Sequence, residues 1–227
     1  MITKRKYPVI AEQEWANTLF LHWKVHPHDM QSVLPKPFLI DTFQGGAWIS
    51  IVIFEARNSR PIFIPKQFSL KPVTQINVRT YVKHPNSYER GVYFFKLYVQ
   101  HPLAVLGAKF IYHLPFQYIT TSMDSDKNRF FVNGKDKSQS IFTAQFKPTG
   151  KRADTELAQF LTERYCIWTK KGTRTIKIPI YHSLWDLQTA EVQIEKNDLL
   201  RVKTSTTHPI AHYNSYKIAK LFPYEHI

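Results

Sequence analysis

A chain of 227 residues can bury roughly 70% of its unfolded surface in one all-β domain without a disulfide staple, and its single cysteine, Cys166, excludes an internal one and suits a reducing compartment. The formal net charge of +14 favours anionic partners. The densest basic groups, Lys4-Arg5-Lys6, Lys147 with Lys151 and Arg152, and Lys170-Lys171 with Arg174 and Lys177, are short and interleaved with acids, so a solvated basic surface outweighs a nucleic-acid site.

The start, Met1 to Pro8, is basic but leads into no apolar stretch, so it does not read as a secretory signal. Leu19 to Val25 has apolar odd positions and polar later even ones, the mark of a half-buried strand. Pro27 to Leu34 predicts a short helix stopped by Pro35. Phe38 to Phe43 and Ala47 to Phe54 are β-rich runs around Gln44-Gly45-Gly46, a predicted hairpin. The second run contains the longest apolar stretch, Trp48 to Phe54, far below the roughly 20 residues of a membrane-spanning helix. Five prolines between Leu34 and Pro72 predict a mixed strand-and-loop rim. Val73 to Lys83 and Gly91 to Gln100 form a second predicted hairpin, and Pro102 to Tyr112 a second helix. Strands follow at Phe116 to Met123, Ile141 to Lys147, Arg164 to Trp168, Arg174 to Tyr181 and Trp185 to Glu195, with a third helix capped by Asp154 or Thr155 and running to Leu161. With no repeat or linker in sight, the expectation is one mainly β domain over residues 1–227, an antiparallel barrel or barrel-like sheet with a few short helices, soluble and cytoplasmic.

No motif names a reaction. His22, His26 and His28 lie close in sequence, but no Cys, Asp-x-His or His-Glu-x-x-His pattern completes a zinc set, so no metal and no cofactor is expected. Nucleophile elbows and phosphate loops are absent, and Cys166 on a strand reads as a small core residue. Gln75 to Val82 is more telling. It alternates Ile76, Val78, Thr80 and Val82 with Gln75, Asn77, Arg79 and Tyr81. In a barrel one face points inward. If it is the polar one, Arg79 is held inside and must pair with an acid, Glu163 being the nearest choice, or bind an anion. Trp185 and Gln188 suit a cavity wall, and Lys109 is an amine able to form a Schiff base if desolvated.

Four segments, Leu19-Phe20-Leu21-His22-Trp23, Asn77 to Val82, Phe160 to Cys166 and Trp185 to Glu191, together resemble the YqjF-like proteins, an uncharacterised bacterial family (domain of unknown function 2071) grouped by fold with the acetoacetate decarboxylases. The resemblance runs from about Trp15 to Leu221 and implies an antiparallel β-barrel or cone with an internal cavity. The decarboxylases attack a β-keto acid with a lysine in a glycine–apolar–proline–lysine–lysine stretch. The similar stretch here, His113 to Gln117, puts Phe116 and Gln117 at the two lysine positions, and Gln75 stands where they carry a cavity glutamate. The resemblance therefore supplies a cavity without its chemistry.

The reading that follows is a small-molecule pocket protein, binding or acting on a small carboxylate or an enol-bearing or aromatic compound. Arg79, Asn77, Tyr81, His22 and Trp23 would line the cavity, with Trp185 and Gln188 in its wall and Glu163 orienting Arg79. The alternatives are polyanion binding through the basic surface and a Schiff-base enzyme using Lys109. Enzyme or binder, and monomer or homo-oligomer, are left open.

Overall fold

A computed structural model describes residues 8–101, 113–137 and 139–227. The expected helix at 102–112, with Lys109, lies outside them. In chain order the elements are β1 (Ala11–Val25), α1 (Pro27–Val33), β2 (Leu39–Ile40), β3 (Ala47–Pro61), β4 (Val73–His84), β5 (Ser87–Val99), β6 (Phe116–Tyr118), β7 (Thr120–Asp126), β8 (Arg129–Asp136) and β9 (Gln139–Arg152). After β9 come α2 (Glu156–Thr162), β10 (Cys166–Lys171), β11 (Arg174–Tyr181), β12 (Gln188–Asn197), β13 (Ile210–Leu221) and β14 (Glu225–His226).

Hydrogen bonding runs β11-β10-β5-β4-β3-β1-β13, and a short β11–β13 pairing, Ile180 with Leu221 and Tyr181 with Lys220, returns the path to its start. Closure removes the edges of these strands and gives them an inside. From β13 the sheet continues through β12, β9, β8 and β7. This second layer packs on the outer face of β1, β3 and β4, where Leu19, Leu21, Trp23, Ile49, Ile51, Ile53, Ile76 and Val78 meet Phe130, Val132, Phe142, Ala144 and Phe146.

Strands covered on both faces read as continuous apolar runs, which explains Trp48 to Phe54. It also corrects the half-buried reading of Leu19 to Val25. Phe20 and His22, on the other face from Leu19 and Leu21, are 1% and 0% exposed. Asn17 inserts an extra residue opposite β3, with φ at 52°, a conformation asparagine tolerates better than most residues. The bulge switches parity: Gln13 and Trp15 face the ring interior before it, Thr18 and Phe20 after it.

The hairpin predicted at Gln44-Gly45-Gly46 is present only as a tight turn. Phe43 and Gly46 exchange two backbone hydrogen bonds at 2.9 Å across Gln44 and Gly45, whose φ values of 46° and 73° are both positive. The predicted strand Phe38 to Phe43 shrinks to β2, which pairs with β4 rather than β3. The Gln31 side chain intervenes, accepting from the Ile40 amide at 2.9 Å and donating to the Phe38 carbonyl at 3.0 Å. The β4–β5 hairpin forms as expected. Thr155 caps α2, its hydroxyl accepting from the Ala158 amide at 3.1 Å. Arg164 precedes β10 instead of opening it, and β8 and β13 are strands the sequence reading did not anticipate.

Candidate functional site

The ring holds a cavity of about 120 Å³. Its apolar wall includes Phe20, Val52, Phe54, Phe94, Leu97, Leu114, Phe116 and Ile167. Trp185 comes from the segment between β11 and β12. Its ring stacks on Trp15 at 5.9 Å and meets Phe20 edge-on at 4.9 Å. That segment is held from several sides. Glu163 accepts from the Trp185 amide at 2.8 Å, and the Trp185 indole donates to the Thr162 carbonyl at 3.0 Å. Lys217, cross-strand from Trp15, donates to the Leu184 carbonyl at 2.7 Å and to Ser183 Oγ at 3.2 Å, with its ammonium 5.3 Å from the Trp185 ring centre. Burial lowers the Lys217 pKa.

The polar part of the wall is the face of β4 singled out in the sequence. Gln75, Asn77 and Arg79 all line the cavity. Arg79 is half-buried. Among the described residues its one hydrogen bond runs from Nη2 to the Leu161 carbonyl at 3.3 Å and its buried Nε has no partner, while its guanidinium lies 5.7 Å from the Phe20 ring centre and 5.9 Å from that of Tyr81. No acid among the described residues lies within salt-bridge distance. The expected Arg79–Glu163 clamp is therefore not formed. Glu163 is held by its own neighbours, accepting from the Tyr165 hydroxyl as well as the Trp185 amide.

A second arginine, missed in the sequence, reaches the same cavity. Arg164 is 6% exposed. Nη1 donates to Asp41 Oδ2 at 2.7 Å and Nε to the Phe160 carbonyl at 2.7 Å, which leaves Nη2 buried and unpartnered. Burial lowers its pKa and Asp41 opposes the shift. The wall thus presents one guanidinium neutralised by Asp41 and one that is not. Thr18 Oγ1 and Asn77 Oδ1, also in the lining, are likewise buried and unpartnered.

Three more unpartnered atoms belong to the same inward strand faces: His22 Nε2, His212 Nδ1 and Asn214 Oδ1. His212 is cross-strand from Phe20 and Asn214 from Thr18. The His22 ring lies 5.3 Å from that of His212 and stacks beside Phe20 at 6.0 Å. Burial, then His212 and Arg79, push the His22 pKa well below its usual value, and burial pulls His212 down to about 4. Both imidazoles are neutral at pH 7. His182 lines the cavity, which His22 and His212 do not, with Nδ1 at 3.0 Å from the Ser183 carbonyl and Nε2 at 3.4 Å from that of Arg164.

The remaining expected site residues lie elsewhere. Trp23 faces the second layer, because adjacent strand residues point to opposite faces and His22 points in. Its indole lies 3.4 Å from the Thr207 carbonyl. Gln188 is on β12, outside the ring, and accepts from the Gly150 amide at 2.8 Å. Tyr81 lies on the inward face past Arg79, fully buried, its hydroxyl bonded to Ser50 and His22. Cys166 packs against Leu34, Phe38, Val82 and Trp168, away from the cavity, and burial pushes its thiol pKa up. His26 and His28 are exposed while His22 is sealed inside. Among the described residues no group of three or more metal-ligating side chains gathers, and no helix is long and apolar enough to cross a membrane.

Residues 12–217 match the family DUF2071, described as an uncharacterized conserved protein. The chain belongs to this family. Consistent with DUF2071 membership, it is 33% identical over 214 residues to the uncharacterized protein YqjF of Bacillus subtilis (strain 168), covering 90% of this chain and 87% of that one. Among solved structures it is similar to an acetoacetate decarboxylase from Legionella pneumophila subsp. pneumophila str. Philadelphia 1. The TM-score there is 0.71 at 12% identity, over 100% of this chain and 92% of that one. It is also similar to the enduracididine biosynthesis enzyme MppR with HEPES buffer bound, with a TM-score of 0.70 at 8% identity over 98% and 89%. At such identities the likeness is one of fold, and the mainly β, acetoacetate decarboxylase-like class expected from the sequence is the one observed. Of the positions compared with the decarboxylases, Gln75 and Phe116 line the cavity and Gln117 is exposed. No lysine lines the cavity of this DUF2071 member among the described residues.

Proposed function

We propose that the cavity binds a small organic monoanion, a carboxylate or enolate with an apolar or aromatic body, and that Arg79 is its counter-ion. The observation that carries this reading is the state of Arg79: partly desolvated, beside a void, with one hydrogen bond and no acid within reach. A guanidinium in such a place costs stability unless an anion completes it, and its fork suits a carboxylate. Arg164, already neutralised by Asp41, supplies a further N–H rather than a further unmatched charge, which favours one negative charge on the ligand over two. Rings of Phe20, Phe54, Phe116, Trp15 and Trp185 would enclose the rest.

The solved neighbours support a small-molecule role for a fold of this kind: one is an acetoacetate decarboxylase, and MppR has been seen complexed with pyruvate. They do not supply a reaction, because the wall positions at Gln75 and Phe116 carry neither a proton-exchanging acid nor an amine. The test is a calorimetric panel of small monocarboxylates against the chain and its Arg79→Gln variant. Binding to the unaltered chain that weakens at least tenfold in the variant is the expected result. Absence of binding across the panel, or equal affinity in the variant, would overturn the proposal.

A further inference from the structure

Several polar groups in the cavity lining already have hydrogen-bond partners. The Trp15 and Trp185 indoles donate to Gln13 and to the Thr162 carbonyl, and the Thr162 hydroxyl donates to the Ala158 carbonyl. Four buried atoms of lining residues have no partner among the described residues: Arg79 Nε, Arg164 Nη2, Thr18 Oγ1 and Asn77 Oδ1. The two guanidinium nitrogens only donate, and a carboxylate, which only accepts, is their match. Thr18 can give or take a hydrogen bond and so discriminates nothing. Asn77 is different. Its carbonyl needs a donor, and an ionised carboxylate has none to offer. A ligand that carried a carboxylate alone would leave this amide, 6% exposed, at the desolvation cost of an unmade hydrogen bond.

Asn77 also stands beside the proposed counter-ion. It precedes Arg79 by two residues on the same face of β4, roughly 6.6 Å away along the strand. Asn77 pairs with Val52 and Val52 with Phe20, so Asn77 and Phe20 share one cross-strand row. The Arg79 guanidinium packs 5.7 Å from the Phe20 ring centre. A half-turn about χ2 exchanges the oxygen and nitrogen of the amide, so Asn77 can turn its carbonyl to a bound donor without moving the strand.

We propose that Asn77 makes the cavity selective for a 2-hydroxycarboxylate, the carboxylate lying on Arg79 and the hydroxyl of the adjacent carbon donating to the Asn77 carbonyl. The inference rests on the carboxylate reading above. A 2-oxo acid brings only acceptors and leaves the amide as it was. A 2-ammonium group donates, but it sets a second cation beside Arg79. A hydroxyl supplies the donor without a charge.

Calorimetry on the full chain at pH 7 compares butyrate, 2-oxobutyrate, 2-aminobutyrate and each enantiomer of 2-hydroxybutyrate. One enantiomer is expected to bind roughly 3- to 10-fold tighter than butyrate, the worth of one net hydrogen bond. The oxo and amino acids should bind no tighter than butyrate. In Asn77→Val the preference for that enantiomer over butyrate should disappear. Valine suits a strand, and Asn77→Leu, closer in volume, gives a second reading of the same ratio. If neither hydroxy acid binds better than butyrate, the selectivity falls and the carboxylate reading stands. Binding of 2-oxobutyrate or 2-aminobutyrate as tight as that of the better hydroxy acid also overturns it, because a neutral donor then counts for nothing. A preference kept in both variants shows that the hydroxyl is met elsewhere and removes Asn77 from the role. If no member of the panel binds, the carboxylate reading fails and the selectivity fails with it.

Discussion

Replacing each cavity arginine by methionine separates a structural cation from a functional one. Arg164 is 6% exposed and Asp41 2%, and they meet at 2.7 Å. Removing Arg164 would leave the buried Asp41 with only the largely exposed Arg90, 3.5 Å away. Breaking a buried pair from one side costs about 3–5 kcal/mol, and at about 2–4 °C per kcal/mol for a chain of this length the melting temperature should fall by about 6–20 °C. Arg79 stands differently. Its methionine variant loses a 3.3 Å hydrogen bond and two ring contacts near 6 Å, together about 2 kcal/mol at most, while relief of an unmatched charge offsets most of that. We expect Arg79→Met to change stability by less than about 1 kcal/mol and to abolish carboxylate binding. Urea unfolding at pH 7, followed by the fluorescence of the five tryptophans, measures both variants. A loss of 3 kcal/mol or more for Arg79→Met would show that Arg79 is a structural clamp, and the counter-ion argument would fall.

Three further outcomes are expected. The depressed His212 pKa of about 4 means the unfolded chain, near 6.5, takes up a proton the folded chain refuses. Its stabilising contribution is therefore full above pH 6.5 and is lost as pH falls toward 4, at about 1.4 kcal/mol per unit; urea midpoints between pH 7.5 and 4.5 should show this fall, and a His212→Phe variant should lessen it by that one proton's share, His22 and His182 keeping theirs. Cys166 is 1% exposed with its thiol pKa raised, so a maleimide at pH 7.5 should label it only after denaturation; labelling at the rate of a free thiol in the native protein would contradict its packing. A Cβ on Gly91 would stand 2.6 Å from the Cys166 carbonyl and 2.7 Å from the Trp168 ring. Gly91→Ala should therefore destabilise by about 1–3 kcal/mol in the same urea assay, through strain where β5 meets β10.

The β4 face was legible because its polar and apolar positions alternate cleanly and a closed ring has only one inside. The same logic failed at His22 and Trp23. Neighbours on one strand cannot share a cavity, and nothing in Leu19 to Val25 says that both faces are covered, since the second covering layer comes from β7, β8, β9 and β12, more than 90 residues later. Arg164 was passed over for a related reason: its partner Asp41 is 123 residues away in sequence, and no local pattern links them. The signal was an arginine flanking a strand whose nearest acid, Glu163, is spoken for by Tyr165 and Trp185. β13 escaped notice because the bulge at Asn17 on the neighbouring strand coincides with a parity change along it. His212 and Asn214 face inward at one end and Lys217 at the other, so no single period-2 pattern runs its length.

The charge balance of the wall bears directly on what this member of the fold is able to do. An amine that attacks a carbonyl must be unprotonated part of the time, which a neighbouring cation favours. Here a cation is present in Arg79, but among the described residues no lysine lines the cavity. What the described cavity presents is an uncompensated guanidinium, a second guanidinium already balanced by Asp41, and unpartnered Thr18 and Asn77 beside them, the groups on which the monoanion proposal rests. On the proposed reading, ligand choice resides in these side chains rather than in the fold that places them. A net surplus of one positive charge in the wall predicts that a monoanion binds with the least residual field. Adding a second negative charge to the same carbon skeleton, as in succinate against butyrate, should therefore weaken binding even though the chain as a whole carries +14. Tighter binding of succinate at low salt, lost as salt is raised, would instead place the recognition on the basic exterior.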